Sequence, residues 1–193
     1  MKILVTYAVQ GEFAELKFPG MRDGDEVQVG YLRTGIGKVK SAYYLTDAIG
    51  RLQPDLVINM GTVGTVNHRV GDIFVCRRFI DRDMEKVKGL GVDYEIDTSS
   101  LLEEKGYCRH WQAQDGVCNT GDSFLTQLTE VTGDVVDMEA YAQAWVCRAK
   151  DVPFVAVKYV TDVIGQNSIK HWEDKLADAR RALEAFFEQT GGV

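Results

Sequence analysis

The sequence predicts a layered α/β domain built on a largely parallel or mixed β-sheet. Short apolar runs and amphipathic stretches alternate along the whole chain, the pattern of strands covered by helices. No internal repeat, low-complexity tract or linker interrupts the alternation. With 193 residues, 45% of them hydrophobic, the chain is long enough to close one large core, so a single domain over residues 1–193 is expected.

Each element has its own reason. Lys2 to Ala8 (KILVTYA) is a short apolar run, typical of a strand covered on both faces. Glu26 to Leu32 alternates with period two and reads as a strand. Lys38 to Leu52 places Val39, Ala42, Leu45, Ile49 and Leu52 at helical spacing. Pro54 separates that helix from a buried strand, Asp55 to Met60, which ends at Gly61. Asp72 to Ile80 is a further strand. Val92 to Cys118 lacks clean periodicity and reads as loops and short strands. Ser123 to Val131 is expected as a short helix, and Val135 and Val136 open a strand that runs into Asp137. Glu139 to Lys150 is expected as a helix with Ala142, Trp145, Val146 and Ala149 on its apolar stripe. Pro153 to Thr161 (PFVAVKYVT) is a central strand. His171 to Gln189 is a long amphipathic helix with Trp172, Leu176, Ala179, Leu183 and Phe186 along one face.

The composition narrows the function. Net charge is −7 and the basic residues are scattered, with no cluster longer than a pair such as Arg77-Arg78, which argues against a nucleic-acid partner. The four cysteines form no C-x-x-C pair and the three histidines do not lie at zinc-ligand spacing, so no metal site is expected. Cys76 and Cys147 sit in apolar runs and read as small core residues. No apolar stretch approaches the ~20 residues a membrane span needs, and the N-terminus opens directly on a strand; a reducing cytoplasm is the expected setting.

Four motifs fall at strand ends, where α/β folds gather their active sites. Thr34-Gly35-Ile36-Gly37-Lys38 joins a strand to a helix; it suits close backbone approach to a ligand, and equally a tight turn. Asn59-Met60-Gly61-Thr62-Val63-Gly64 follows a buried strand with glycines and a hydroxyl. Val136-Asp137-Met138-Glu139 places two carboxylates around a methionine where a strand turns into a helix; Glu139 there is a helix cap or an acceptor for vicinal hydroxyls. Thr161-Asp162-Val163 ends the most hydrophobic strand, and an Asp so placed must be hydrogen-bonded or neutral.

Together with MKILVTYAVQGE, VGDIFV and TGDSF, these motifs in this order resemble the purine/uridine phosphorylase superfamily, and within it the 5′-methylthioadenosine/S-adenosylhomocysteine nucleosidases. The resemblance spans most of the chain. It implies a three-layer α/β sandwich around a twisted mixed sheet, a homodimer, and no cofactor. It also implies hydrolysis of the N-glycosidic bond of a 5′-substituted adenosine, with water as nucleophile. Asp162 would protonate the purine at N7, and Glu12 would activate the water. Glu139 would hold the ribose hydroxyls over Met138, with Asp137, where a Glu is common, beside it. Thr62 stands for a serine of the water- or phosphate-binding loop, and Lys158 for an arginine near the water. Phe124 and Leu125 would contact the base, and Trp172 would cover the 5′ side.

A phosphorylase would need positive charge for phosphate, including an arginine where Asn59 stands; Lys38, Arg33 and Lys158 are the cations that remain. Phosphorolysis and a futalosine-type hydrolysis are therefore the alternatives. From another class comes a non-catalytic nucleoside binder, motivated by Lys158 and by compressed segments at 13–25 and 92–118. A Rossmann-type binder fits poorly, because Lys40 stands where the third glycine of G-x-G-x-x-G belongs. Met84, Val87 and Leu90 lie near where relatives reach across a dimer.

Overall fold

A computed structural model of the chain describes residues 1–12, 27–127, 130–166 and 168–190. Its strands are β1 (Lys2–Tyr7), β2 (Gln28–Arg33), β3 (Leu56–Thr65), β4 (Ile73–Asp81), β5 (Glu95–Asp97), β6 (Gln114–Thr120), β7 (Val135–Asp137) and β8 (Phe154–Val163). Its α-helices are α1 (Lys38–Leu52), α2 (Arg82–Glu85), α3 (Ser99–Lys105), α4 (Ala140–Ala149) and α5 (Ser168–Gln189), and 3-10 turns span Gln10–Glu12 and Lys88–Leu90.

All eight strands join one mixed sheet. β3 pairs parallel with β8, β8 antiparallel with β4, β4 parallel with β6, and β6 parallel with β7. β7 then returns antiparallel to the far end of β3, at Gly64 and Thr65, so these five strands close on themselves. β1 and β2 extend from the other end of β3 as a parallel wing, and β5 adds to β4.

Period-two alternation distributes the core to both faces of the sheet. Leu4, Val57, Phe154 and Ala156 point to one cluster, with Leu45, Ala48 and Ile49 of α1 and Ala140, Ala144 and Cys147 of α4. Ile3, Val5, Leu56, Ile58, Val155 and Val157 point to the other, with Leu102 of α3 and Ala179, Leu183, Phe186 and Phe187 of α5. The result is the expected three-layer sandwich around a mixed sheet. Cys76 and Cys147 are buried in the core, as their apolar surroundings predict. Among the described residues no helix is long and apolar enough to cross a membrane.

Four expectations need correction. The 92–118 stretch contains α3, whose seven residues bury Leu102 alone and are too short to print a helical period. The described part of 123–131 is not helical: Arg82 takes the Ser123 carbonyl at 2.9 Å, the acceptor a helix would have used. Leu128 and Thr129 lie outside the described residues, as does the compressed 13–25 segment. The residues that α4 buries are Ala140, Tyr141, Gln143, Ala144, Val146 and Cys147; of the expected stripe Val146 is among them, whereas Trp145 is 49% exposed, and the small residues let α4 lie against α1. On α1, Val39 and Leu52 are exposed and the buried stripe is Ser41, Leu45, Ala48 and Ile49.

Candidate active site

A cavity of about 340 Å³ opens at one end of the closed strands, between the 3-10 turn after β1, the second half of β3, the β7–α4 junction, the end of β8 and the start of α5. Glu12, Thr62, Phe124, Leu125, Asp137, Met138, Glu139, Asp162 and Trp172 all line it. Lys158 does not. Ala8, Val9 and Ile36 also line it and were not singled out by sequence; Ile36 sits inside the TGIGK motif, the signal that would have found it.

Asp162 is placed by a β-bulge. The β3–β8 register runs Val63↔Val160 and then Gly64↔Asp162, so Thr161 is the extra residue. Bulges re-aim side chains, and here the buried Asp162 carboxyl is turned onto the cavity wall. Gly64 leaves the room it needs, since a Cβ there would lie 3.2 Å from Asp162 Oδ2. Thr161 Oγ1 lies 2.9 Å from Asp162 Oδ1 and 3.2 Å from the Val63 carbonyl.

The adjacent carboxylates Asp137 and Glu139 divide the work. Asp137 Oδ2 accepts from Ala140 N at 2.9 Å, and Thr120 Oγ1 accepts from Tyr141 N at 3.0 Å; these two cap α4. Asp137 Oδ2 also receives Lys158 Nζ at 2.8 Å, and Oδ1 receives Thr120 Oγ1 at 2.6 Å. Burial opposes the charge of Asp137, but Lys158 and these donors hold its pKa below the usual carboxylate range. Burial likewise opposes the charge of Lys158, and Asp137 foremost raises its pKa above the usual lysine value. Both oxygens of Asp137 are thus engaged by protein, and Lys158 is a buried counter-ion behind the wall.

Glu139 makes no cap bond, which frees it for the cavity. Its Oε1 accepts from Gly37 N at 2.8 Å. Gly37 has φ +97°, a conformation suited to glycine, and this turns its N–H toward Glu139. Burial first, and then the charge of Asp137, push the Glu139 pKa up to about 8.

Glu12 is buried and its carboxylate is held on both oxygens. Oε1 accepts from the Thr62 hydroxyl and from Thr62 N, the latter at 3.0 Å; Oε2 accepts from Val9 N at 3.1 Å. Trp172 Nε1 donates to Thr62 Oγ1 at 2.8 Å.

The cations are spent elsewhere. Lys38 Nζ bonds both oxygens of Asp81 and Asp83 Oδ2, the last at 2.8 Å, while Lys38 N bonds Asp122 Oδ1. Asp83 Oδ2 also accepts from Asp122 N at 3.2 Å. That network ties the start of α1 to the Gly121–Leu125 loop, which carries Phe124 to the cavity mouth. Arg33 is exposed and Asn59 is buried against Thr6. Among the described residues, no Lys or Arg lines the cavity.

A family model described as the phosphorylase superfamily matches residues 21–190. The chain is 31% identical over 186 residues to the 5′-methylthioadenosine/S-adenosylhomocysteine nucleosidase of Anoxybacillus flavithermus, covering 84% of this chain and 78% of that protein. It is 28% identical over 194 residues to the enzyme of the same name from a Marinomonas species, covering 89% and 83%. In fold it is similar to the Helicobacter pylori nucleosidase of that name crystallised with butyl-thio-DADMe-Immucillin-A, with a TM-score of 0.78, 16% identity, and 98% and 97% of the two chains covered. The futalosine hydrolase of the same organism shares the fold, with a TM-score of 0.75, 18% identity, and 98% and 96% covered.

Proposed function

This chain belongs to the phosphorylase superfamily and, within it, to the 5′-methylthioadenosine/S-adenosylhomocysteine nucleosidases, and from that premise we propose that it hydrolyses a 5′-substituted adenosine to release adenine. One observation carries the reading: Glu12, Glu139 and Asp162, remote in sequence, line one cavity that no Lys or Arg among the described residues enters.

The chemistry follows from that placement. As the C1′–N9 bond breaks, its electron pair goes to the purine and Asp162 supplies or shares a proton at N7. The ribose is left as an oxocarbenium-like cation, which the surrounding carboxylates favour. Glu139 accepts the ribose hydroxyls above Met138. Water adds its oxygen to C1′ and gives its proton to Glu12. Phe124 and Leu125 contact the base and Trp172 covers the 5′ end. Phosphate would meet Glu12 with Lys38 and Lys158 already neutralised by aspartates, so water is the nucleophile.

Exposed Ile36 and Phe124 at the cavity mouth continue along α1 into Val39 and Tyr43, which supports a homodimer that closes the mouth. The four buried thiols fit a cytoplasmic setting. Incubation with methylthioadenosine and a panel of other 5′-substituted nucleosides, futalosine included, should release free base without phosphate. An absolute phosphate requirement overturns hydrolysis, and tight binding without base release overturns catalysis. Asp162→Asn and Glu12→Gln should each lower kcat about 10²-fold or more with the fold retained.

A further inference from the structure

We infer that Trp172 is a positioning residue for the general base: its indole N–H fixes the Thr62 hydroxyl as a donor to Glu12, leaving one Glu12 oxygen to face the attacking water. The inference rests on the proposed role of Glu12 and adds a residue that acts through another.

The bonds form a directed chain. An indole N–H only donates, so the contact from Trp172 Nε1 to Thr62 Oγ1 at 2.8 Å occupies a lone pair of that hydroxyl. The hydroxyl has one proton, and Glu12 Oε1 is the acceptor it faces. Oε1 also receives Thr62 N at 3.0 Å and is thereby saturated on its protein side. Oε2 receives Val9 N at 3.1 Å and keeps a lone pair on a residue that lines the cavity. Oε2 is therefore the oxygen placed to take the proton from water. Without Trp172 the hydroxyl is free to rotate, and Glu12 Oε1 can lose one of its two donors, keeping only Thr62 N.

A second contact joins α5 to the same turn. Leu176, one helical turn beyond Trp172, packs on Gly11, where an added Cβ would lie 3.1 Å from Leu176 Cδ1. The Gln10–Glu12 turn is thus gripped directly by Leu176 and, through Thr62 of β3, by Trp172. The resemblance assigned Trp172 to pocket cover; its ring nitrogen gives it a further task.

Steady-state adenine release from methylthioadenosine separates the tasks. The set is wild type, Trp172→Phe, Thr62→Val, Thr62→Ser, the Trp172→Phe/Thr62→Val double variant and Glu12→Gln, each checked by circular dichroism. Losing one hydrogen bond in the chain should make Trp172→Phe lower kcat about tenfold with KM within about twofold. Thr62→Ser should recover most of what Thr62→Val loses. The double variant should be no slower than Thr62→Val, because both substitutions break one chain. A raised KM with unchanged kcat in Trp172→Phe, or additive losses in the double variant, would overturn the inference. Should Thr62→Val fail to fold, the kcat-against-KM split in Trp172→Phe still decides. Wild-type turnover in Glu12→Gln would instead remove the role of Glu12 itself, whereas a slow Glu12→Gln beside an unimpaired Trp172→Phe would sink only the chain.

Discussion

Glu139 holds its proton up to about pH 8 because burial and the neighbouring Asp137 charge outweigh the pull of Lys158 and the Gly37 N–H. In its proposed role, accepting two ribose hydroxyls, it must be ionised. Nucleoside binding below that pH is therefore coupled to proton release, and KM should fall as pH rises from 6 toward 8. Calorimetry of an unreactive nucleoside analogue in buffers of different ionisation enthalpy would detect the released proton; a flat KM and no release would refute the coupling. The stability effect has the matching sign: the folded-state value lies above the ordinary 4.5, so this contribution is full below about 4.5 and is lost as pH rises through 8. The Lys158–Asp137 pair gives a second residue-scale expectation. Lys158→Met strands a buried carboxylate and should cost about 3–5 kcal/mol in urea unfolding, partly recovered by adding Asp137→Asn. An unchanged midpoint would show the pair to be dispensable. The acidic residues were legible because each stands inside a short contiguous motif. Their partners were not, since Gly37 and Glu139 are 102 positions apart, and Trp172 and Thr62 are 110 apart. Nor can sequence decide which of two neighbouring carboxylates caps α4; Lys158 beneath Asp137 settles it.

At the scale of elements, the site depends on β3 running to Thr65, well past the Met60 end of its apolar run, and on β8 running past Thr161 to Val163. The extra length carries Thr62, Gly64 and Asp162 into the cavity, and the bulge at Thr161 sets the aim of Asp162. A methyl group at position 64 would meet Asp162 Oδ2 at 3.2 Å and Ile164 Cγ1 at 3.3 Å, so both must shift by a few tenths of an ångström. Gly64→Ala should therefore lower kcat roughly tenfold while leaving thermal stability nearly unchanged, since small misplacements at a reacting centre are costly. An unimpaired kcat would mean that the bulge has slack. The long elements were readable because α1 and α5 repeat their apolar spacing over 15 and 22 residues. α3 was not, with seven residues and one buried leucine. The 123–131 stretch misled because its apolar spacing is helical, whereas Arg82 and the Lys38–Asp83–Asp122 network hold its first residues as a loop.

For the whole molecule, closure of five strands is what brings the turn after β1, the β7–α4 junction and the end of β8 to one rim; an open sheet would spread those carboxylates along its edge. Closure also leaves one side of the rim apolar and uncovered. Ile36 is 48% exposed and Phe124 43%, although both line the cavity, and Val39 and Tyr43 extend the band at 78% and 69%. Exposure of this kind beside a binding site is costly unless something covers it. A second copy of the chain, applying the same band about a two-fold axis, would bury it and narrow the mouth at once. Sedimentation velocity at micromolar concentration should then show a dimer. Val39→Glu combined with Tyr43→Glu should give a monomer, because each dimer would bring four unpaired carboxylates to the interface. Both residues lie outside the cavity lining, so the monomer should keep its fold and bind nucleoside more weakly, with Phe124 left in solvent. A wild-type monomer, or a split dimer with undiminished affinity, would show that the cavity is complete within one chain.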